Sequence, residues 1–280
     1  MVAYYPETIM EAVSLRKDHP GATIYAGGTD LMVTKKIGEH VIFVTHVEEM
    51  RTLTRDENGL TIGAAVPYVE ILASHEVPEI IKDVIVDIAS PAIRSRGTVA
   101  GNICNASPAG DTLPMLHALD AVVCLASAGD DGVVCRQMPI GEFVLGVRRT
   151  ALQENEVVTA IKIPADALTE NNLYAYKKVG ARRAEAISKL SFFGRAAFGG
   201  ERITTFRTAF GSVFIITAVS PEASRLVEGM TKAELAQKRE EISEMCLKNV
   251  KPIDDQRSNA AYRALAARNL LKDFLDKVTE

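Results

Sequence analysis

A segment of about 25 residues, from Ser90 to Pro114, constrains the fold of this chain more than any other part of its sequence. It reads SPAIRSRGTVAGNICNASPAGDTLP, and its many Gly, Ser, Asn and Pro residues leave few side chains that could build a core. Loops of this length are uncommon inside compact domains, and those that occur usually have a function. We therefore expect a long functional loop here, held by ordered elements on both sides.

The elements around this loop predict an α+β protein. Before the loop, apolar spacing predicts a helix from Pro6, a strand that ends at Gly28, a helix within residues 29–40 and a strand over Val41–Thr45. After it come three strands, then three more strand-like runs followed by two helices. A polar segment at 165–172 separates these groups, and we place a domain boundary between residues 166 and 167.

Charge and composition exclude several classes of partner. The 280 residues include 32 Lys and Arg against 36 Asp and Glu, and a net charge of -4 gives no broad attraction to nucleic acid or anionic lipid. No apolar run reaches the ~18 residues of a membrane span, and the first residues lack the basic and apolar regions of a secretory signal. We expect a cytoplasmic protein with neither a nucleic acid nor a membrane partner.

Cysteine and histidine positions give no metal site. The four cysteines contain no C-x-x-C pair, and the five histidines share no metal-ligand spacing. Cys104 is best explained as a small residue in a tight turn, and His117 as a helix-packing residue. Arg182-Arg183 fits either a solvated turn or a guide for an anionic electron acceptor. No residue is assigned a catalytic role.

The first candidate binding segment is Ile24–Leu31, with the sequence IYAGGTDL. A strand that ends in two glycines and leads into a helix exposes unpaired backbone N–H groups at the positive end of the helix dipole. Such a corner suits phosphate or pyrophosphate. The alternative is a plain tight turn, since glycine pairs are common in turns.

The second candidate segment lies inside the long loop. Its small residues, in TVAGN at 98–102, let the main chain approach a flat or charged ligand. Asn102, Asn105, Ser107 and Asp111 supply side-chain donors and acceptors suited to the hydroxyls of a ribose or polyol. The alternative for Asp111 is that it caps the helix that begins at Thr112.

These two segments resemble a known family. AGGTDL, TVAGN and an Asp nine residues after TVAGN are similar to the FAD-binding medium subunit of the molybdenum hydroxylases, the xanthine dehydrogenase and carbon monoxide dehydrogenase type. The resemblance covers nearly the whole chain, since YKKVGARRAEAISKLS and PIDDQRSNAAYRALAARNLLKDFL also match family segments. It implies a vanillyl-alcohol-oxidase-like flavin fold. The FAD-binding domain would have subdomains of about 1–56 and 57–166, followed by a smaller α+β domain over 167–280.

The resemblance also implies which residues contact FAD. The first segment would contact the pyrophosphate, Asp111 would hold hydroxyls of the sugar or ribityl portion, and Lys178 would lie near the isoalloxazine. Ile88 and Val158 match apolar contacts. The residues assigned to the cofactor in this way are Ile24, Tyr25, Ala26, Gly27, Gly28, Thr29, Asp30, Leu31, Thr98, Val99, Ala100, Gly101, Asn102, Asp111, Val158 and Lys178.

The function implied is electron transfer. As a member of this family the chain would pass electrons between a [2Fe–2S] subunit and NAD or another acceptor, beside a molybdopterin-binding subunit. Two alternatives stay open. One is a freestanding FAD-dependent oxidoreductase of the same flavin fold, such as the enolpyruvyl sugar reductases, and the other is a flavin-free scaffold that bridges subunits.

Overall fold

A computed structural model describes all residues, Met1–Glu280. Helices and strands are mixed along the chain, which confirms the α+β class. The strands are β1 Val2–Tyr4, β2 Thr23–Tyr25, β3 His40–Phe43, β4 Leu53–Asp56, β5 Gly59–Gly63, β6 Val122–Ala128, β7 Val133–Pro139, β8 Val144–Gly146, β9 Arg149–Thr150, β10 Glu156–Pro164, β11 Asn172–Val179, β12 Leu190–Gly199, β13 Arg202–Gly211 and β14 Ala218–Val219.

The helices are mostly short, and none is both long and apolar enough to cross a membrane. They are α1 Ile9–Asp18, α2 Leu31–Thr34, α3 Tyr68–Ala73, α4 Glu79–Val86, α5 Pro91–Arg94, α6 Val99–Asn105, α7 Thr112–Ala118, α8 Ile140–Phe143, α9 Pro221–Val227, α10 Lys232–Gln237, α11 Arg239–Leu247 and α12 Ala260–Thr279. Single 3-10 turns lie at Val44–His46, Glu48–Arg51 and Ala165–Leu168.

The chain forms two compact units that are discontinuous in sequence. Unit 1 comprises Met1–Pro78, Ala89–Ala106 and Ala121–Ala165, and unit 2 comprises Glu79–Ile88, Ser107–Asp120 and Asp166–Glu280. The boundary drawn at residue 166 from the sequence, with its subdivision of the first part, stays a prediction.

Unit 1 contains two main sheets. A parallel sheet has the order β1-β3-β2, and an antiparallel sheet has the order β4-β5-β10-β6-β7. Helix α1 packs against β6 and β10, with Ala12 and Val13 fully buried. This helix begins at Ile9 rather than at Pro6, because the Thr8 hydroxyl accepts the Glu11 N–H and caps it there.

The helix expected within residues 29–40 is much shorter than the sequence pattern suggested. Only Leu31–Thr34 is helical, and the following residue, Lys35, adopts the left-handed conformation with φ 53°. The Lys35 N–H closes the turn on the Leu31 carbonyl at 2.8 Å. A left-handed residue in this position ends a helix, so the remaining residues up to His40 connect to β3.

The long loop expected at 90–114 is wrong as a description of the backbone. It contains α5, α6 and the first residues of α7. Ser90 and Thr98 each accept a backbone N–H three residues ahead, from Ile93 at 3.3 Å and Gly101 at 2.9 Å. Small polar residues therefore act as N-caps of short helices, and Ala106, with φ 44°, ends α6.

Unit 2 is built on an antiparallel sheet with the order β11-β12-β13-β14. Strand β12 is buried along most of its length, and its Phe192 packs with Phe210 of β13 and Phe274 of α12. Gly194 faces the same helix, since a Cβ there would lie 2.9 Å from the Phe274 ring. The helix predicted over 232–249 is interrupted at Lys238 between α10 and α11, and the sequence pattern did not predict α9.

A buried arginine also holds unit 2 together. Arg195 of β12 is 1% exposed and donates to Asn172 at 2.7 Å, Asp166 at 3.2 Å and Asp120 at 3.3 Å. Arg207 on β13 donates to the same Asp120 carboxylate at 3.0 Å. The two carboxylates and the amide therefore compensate a charge that would otherwise be costly to bury.

Candidate functional site

The first predicted segment forms a glycine corner at the end of β2. Gly28 has φ 71°, and a Cβ on it would lie 2.0 Å from the Tyr25 ring. A Cβ on Gly27 would lie 2.0 Å from the Arg96 carbonyl oxygen. Both positions therefore need glycine, one for its conformation and contact with an aromatic ring, the other for the close approach of two backbones.

The backbone of this corner carries unused donors. The N–H groups of Gly27, Gly28 and Thr29 donate to no protein acceptor, although the Gly28 residue is buried. The Gly28 and Asp30 carbonyls instead accept N–H groups of α2. Buried N–H groups rarely lack a partner, and consecutive free N–H groups form an anion-binding concavity.

The second predicted segment forms the start of α6. Thr98 caps the helix, and its hydroxyl and carbonyl take the Gly101 and Asn102 N–H groups at 2.9 and 3.1 Å. The Val99 N–H faces the Val66 carbonyl in the antiparallel bridge between Pro67 and Thr98, whereas the Ala100 N–H donates to no protein acceptor. Gly101 is exposed, and a Cβ there would meet only the Thr98 hydroxyl. A ligand can therefore approach this turn without obstruction by a side chain.

The structure brings the two segments together within unit 1. The Gly27 backbone touches the Arg96–Gly97 backbone just before α6. Farther along, the Asp30 carboxylate accepts from Asn105 Nδ2 at 3.3 Å and from Arg148 Nη1 at 2.9 Å. Asp30 is therefore held by protein groups. Asn105, expected to face ligand hydroxyls, is one of its partners, and Arg148 was missed by the sequence analysis.

Unit 2 contains a separate buried polar cluster around Asp111. One carboxylate oxygen accepts from Lys178 Nζ at 2.8 Å, and the other accepts from Ser188 Oγ at 2.5 Å. Lys178 also donates to the Asp87 carbonyl at 2.7 Å. The side chain of Asp111 makes no capping bond to α7. The alternative that Asp111 merely caps this helix is therefore wrong.

Burial shifts the pKa values of Asp111 and Tyr176 in this cluster. Burial raises the pKa of Asp111, while the Lys178 ammonium and the Ser188 hydroxyl oppose that shift. Burial and the nearby Asp87 carboxylate raise the pKa of Tyr176, whose hydroxyl donates to Asp87 at 3.3 Å. The Asp111 carboxylate is held at both of its oxygens by Lys178 and Ser188, and each of these oxygens keeps one lone pair for a further hydrogen bond.

The remaining candidates lie in varied surroundings. Ile88 and Val158 are 7% and 8% exposed, in units 2 and 1 respectively. Arg182 donates to the Ala184 and Glu185 carbonyls of its own exposed turn, so this guanidinium is partly committed to shaping the turn. Ser107 accepts from the Ala109 N–H at 3.3 Å within a similar local turn.

Comparison with known proteins identifies the family. Residues 1–166 match the family described as the FAD binding domain in molybdopterin dehydrogenase, and residues 174–278 match the CO dehydrogenase flavoprotein C-terminal domain. The chain belongs to the FAD-binding family of the molybdopterin dehydrogenases. It is an oxidoreductase subunit whose cofactor is FAD, as the sequence resemblance implied.

Two relatives agree with this assignment, and a solved structure shares the fold. The carbon monoxide dehydrogenase medium chain of Hydrogenophaga pseudoflava is 27% identical, with 97% of this chain and 94% of the relative covered. The xanthine dehydrogenase FAD-binding subunit of Escherichia coli O157:H7 is 26% identical, with 96% and 93% covered. A chain of reconstituted CO dehydrogenase from Oligotropha carboxidovorans has a TM-score of 0.87 to this chain at 22% identity. The match covers 99% of this chain and 96% of that one. This last likeness confirms the fold.

The residues of unit 1 fit the family's cofactor. FAD carries a pyrophosphate, and the glycine corner offers three consecutive free N–H groups, one of them on a buried residue, with one more, that of Ala100, at the start of α6. Backbone N–H groups of this kind bind phosphate oxygens. The structure thus places Gly27–Thr29 and Thr98–Asn102 side by side, while the contact of each with FAD stays a prediction.

Proposed function

We propose that this chain is the electron-transfer subunit of a multi-subunit molybdenum hydroxylase, passing electrons between a [2Fe–2S] partner subunit and NAD or another acceptor. When bound, FAD supplies the exchange of single electrons and electron pairs. The chain's own residues hold, orient and shield the cofactor. A molybdopterin-binding subunit is the second partner in this proposal.

The observation that carries the proposal is the set of free N–H groups in unit 1. Gly27, Gly28 and Thr29 are proposed to donate to the pyrophosphate, and Ala100 to add a donor from the start of α6. These groups are fixed by backbone, so they need little reordering when an anion binds. Their arrangement favours a dinucleotide cofactor over a mononucleotide, because a pyrophosphate can use both sets.

The names of the relatives support the subunit role. The relatives described above are a medium chain and a FAD-binding subunit. The four cysteines of the present chain lie in different elements, with Cys104 in α6, Cys124 in β6, Cys135 in β7 and Cys246 in α11. We therefore assign the one-electron centre to a partner chain.

In unit 2, the assignment of Asp111 and Lys178 to the cofactor stays a prediction. The free lone pair on each Asp111 oxygen could accept from a ligand hydroxyl, since Ser188 and Lys178 each use only one. Because both oxygens are already held, the carboxylate is oriented before any ligand arrives. Such prior ordering lowers the cost of binding.

Cofactor identity is the first test. The flavin released by heat from the purified chain is separated by chromatography, and FAD rather than FMN is expected. FMN, or binding of FMN as tight as that of FAD, would contradict the use of both donor sets. A colourless protein that also fails to bind added FAD would favour the flavin-free scaffold.

Electron flow is the second test. Under anaerobic conditions a purine or another hydroxylase substrate is added to the FAD-loaded chain alone, and no bleaching of the flavin absorbance is expected. Adding the [2Fe–2S] and molybdopterin-binding subunits should produce bleaching. Rapid bleaching of the chain alone by substrate would favour a freestanding oxidoreductase. Bleaching by NADH alone would identify the acceptor, and Arg183 would be the first residue to replace.

A further inference from the structure

Arg148 occupies an unusual position beside the glycine corner. It lies in the tight hairpin between β8 and β9 and has φ 57°, in the left-handed region that side chains other than glycine rarely adopt. Its N–H donates to the Ala106 carbonyl at 2.9 Å, at the residue that ends α6. The backbone of Arg148 is thereby tied to the end of the helix whose first turn carries the free Ala100 N–H group.

The side chain of Arg148 reaches the other donor set. Its Nη1 lies 2.9 Å from Asp30 Oδ2, while Asp30 Oδ1 accepts from Asn105, the last residue of α6. The Asp30 carboxylate therefore links three segments: the glycine corner, the end of α6 and the β8–β9 hairpin. Residues 30 and 148 are 118 positions apart in the sequence, so this contact forms only in the folded unit.

Stability alone does not account for this link. The Arg148 and Asp30 side chains are 51% and 44% exposed, and ion pairs with such exposure contribute little to folding. The left-handed conformations of Arg148 and Ala106 are themselves unfavourable for residues with a side chain. Strained residues of this kind are concentrated at binding sites, where the surrounding structure holds them.

Charge gives the link a role in binding. Asp30 follows directly after Gly27, Gly28 and Thr29, whose free N–H groups suit an anion. A carboxylate next to a bound pyrophosphate would repel it unless a cation neutralised the carboxylate. Arg148 is the cation in contact with Asp30.

We propose that Arg148 is a positioning residue for the cofactor: by neutralising the Asp30 carboxylate, it keeps the adjoining backbone N–H groups of the glycine corner favourable to a pyrophosphate. This inference rests on the proposed function. It assigns to Arg148 an action through Asp30, with no contact to the cofactor required.

The test compares FAD affinity in variants of the full chain. Arg148→Gly removes the side chain at a left-handed residue where glycine is favoured, so the fold is not put at risk. Arg149→Ala is the matched control, because it removes the same charge from the same hairpin, and Arg149 contacts no carboxylate. We expect the Kd for FAD to rise at least tenfold in R148G and less than twofold in R149A, with the loss in R148G smaller at high salt.

The double variant D30N/R148G tests the route of the effect. Removing the carboxylate that Arg148 neutralises should return the Kd to within threefold of the wild-type value. An R148G Kd equal to that of R149A overturns this inference and leaves the proposed function standing. A tenfold loss without recovery in D30N/R148G also overturns it, since Arg148 would then act directly on the ligand. Wild-type protein that binds no FAD overturns the proposed function itself.

Discussion

The Lys178 ammonium lies 2.8 Å from an Asp111 carboxylate oxygen, and only 7% and 10% of the two side chains are exposed. The sequence resemblance assigns both residues to the cofactor as separate contacts. In the structure they form one buried ion pair, extended by Ser188 and by the Asp87 carbonyl. Their properties therefore depend on each other, and a substitution at one changes the state of the other.

Replacing Lys178 by Met should destabilise unit 2 by about 3 kcal/mol at pH 7, because a buried carboxylate would lose its cation. The pKa of Asp111, already raised by burial, would rise further without Lys178, which opposes that shift. The folded variant would then bind a proton more readily than the unfolded chain, so its stability should fall as the pH rises. Urea unfolding should show a larger deficit at pH 8 than at pH 5.

The double variant D111N/K178M provides the control for this prediction. It removes both charges, and the difference between pH 8 and pH 5 should largely disappear. If K178M instead shows the same deficit at both pH values, Asp111 does not change its protonation in response to Lys178. The ion pair would then contribute through packing alone.

His117 gives a second pH dependence, of opposite sign. Burial lowers its pKa to about 4, against about 6.5 in an unfolded chain. The unfolded chain therefore binds the proton first as the pH falls, and the wild-type protein should lose stability between pH 6.5 and 4. The loss specific to His117 should reach about 2 kcal/mol at pH 4.5.

His117→Gln should abolish this contribution. The free energies of unfolding of H117Q and wild type are measured in urea at pH 7.5 and pH 4.5. Because the two proteins share all other titrating groups, the difference between their pH dependences isolates the contribution of the histidine. H117Q should lose less stability on acidification than the wild type does. Equal losses would mean that His117 becomes protonated in the folded protein as easily as in the unfolded one.

Gly194 sets how closely α12 packs on the sheet of unit 2. An alanine Cβ there would lie 2.9 Å from the Phe274 ring, and such overpacking costs about 1 to 3 kcal/mol. The double variant G194A/F274L should lose less stability than the sum of the losses in the two single variants, because the smaller leucine side chain leaves room for the methyl group. Additive effects in urea unfolding would show that the helix shifts away instead.

The strands of the fold were more predictable than its short helices. β6, β7 and β10 follow alternating or continuous β-branched patterns, which can be recognised locally. In the segment Ser90–Pro114, the capped helices α5 and α6, of four and seven residues, carry too little apolar periodicity to stand out, whereas the helix from Thr112 was predicted. Their only signals were Ser90 and Thr98, which are equally common in loops.

The residues of the candidate site also differ in how well the sequence predicts their surroundings. Gly27 and Gly28 could be identified from sequence because their backbone requirements are local. The partners of Asp30 and Asp111 could not, since Arg148 is 118 residues from Asp30 and Lys178 is 67 residues from Asp111. A charged residue between two turns has many possible partners in sequence. Only the packing of distant strands and hairpins selects one of them.

Gly28→Ala should weaken FAD binding at least tenfold. Its φ of 71° is unfavourable for alanine, and the added methyl would lie 2.0 Å from the Tyr25 ring, so the ring and the corner must move. That movement would displace the free N–H groups of Gly27–Thr29 from the pyrophosphate. Titration of FAD, followed by flavin fluorescence, measures the Kd, and thermal unfolding measures the accompanying loss of stability.

Gly21→Ala is the matched control for this prediction. Gly21 has φ 82°, and a Cβ there would meet nothing within 4 Å. The substitution therefore carries a similar backbone penalty of about 1 kcal/mol at a site with no free donor set assigned to the cofactor. We expect G21A to lower the melting temperature while keeping the Kd for FAD within twofold of wild type. If G28A binds FAD as tightly as G21A does, Gly28 serves only as a turn residue, and the pyrophosphate must be held elsewhere in the chain.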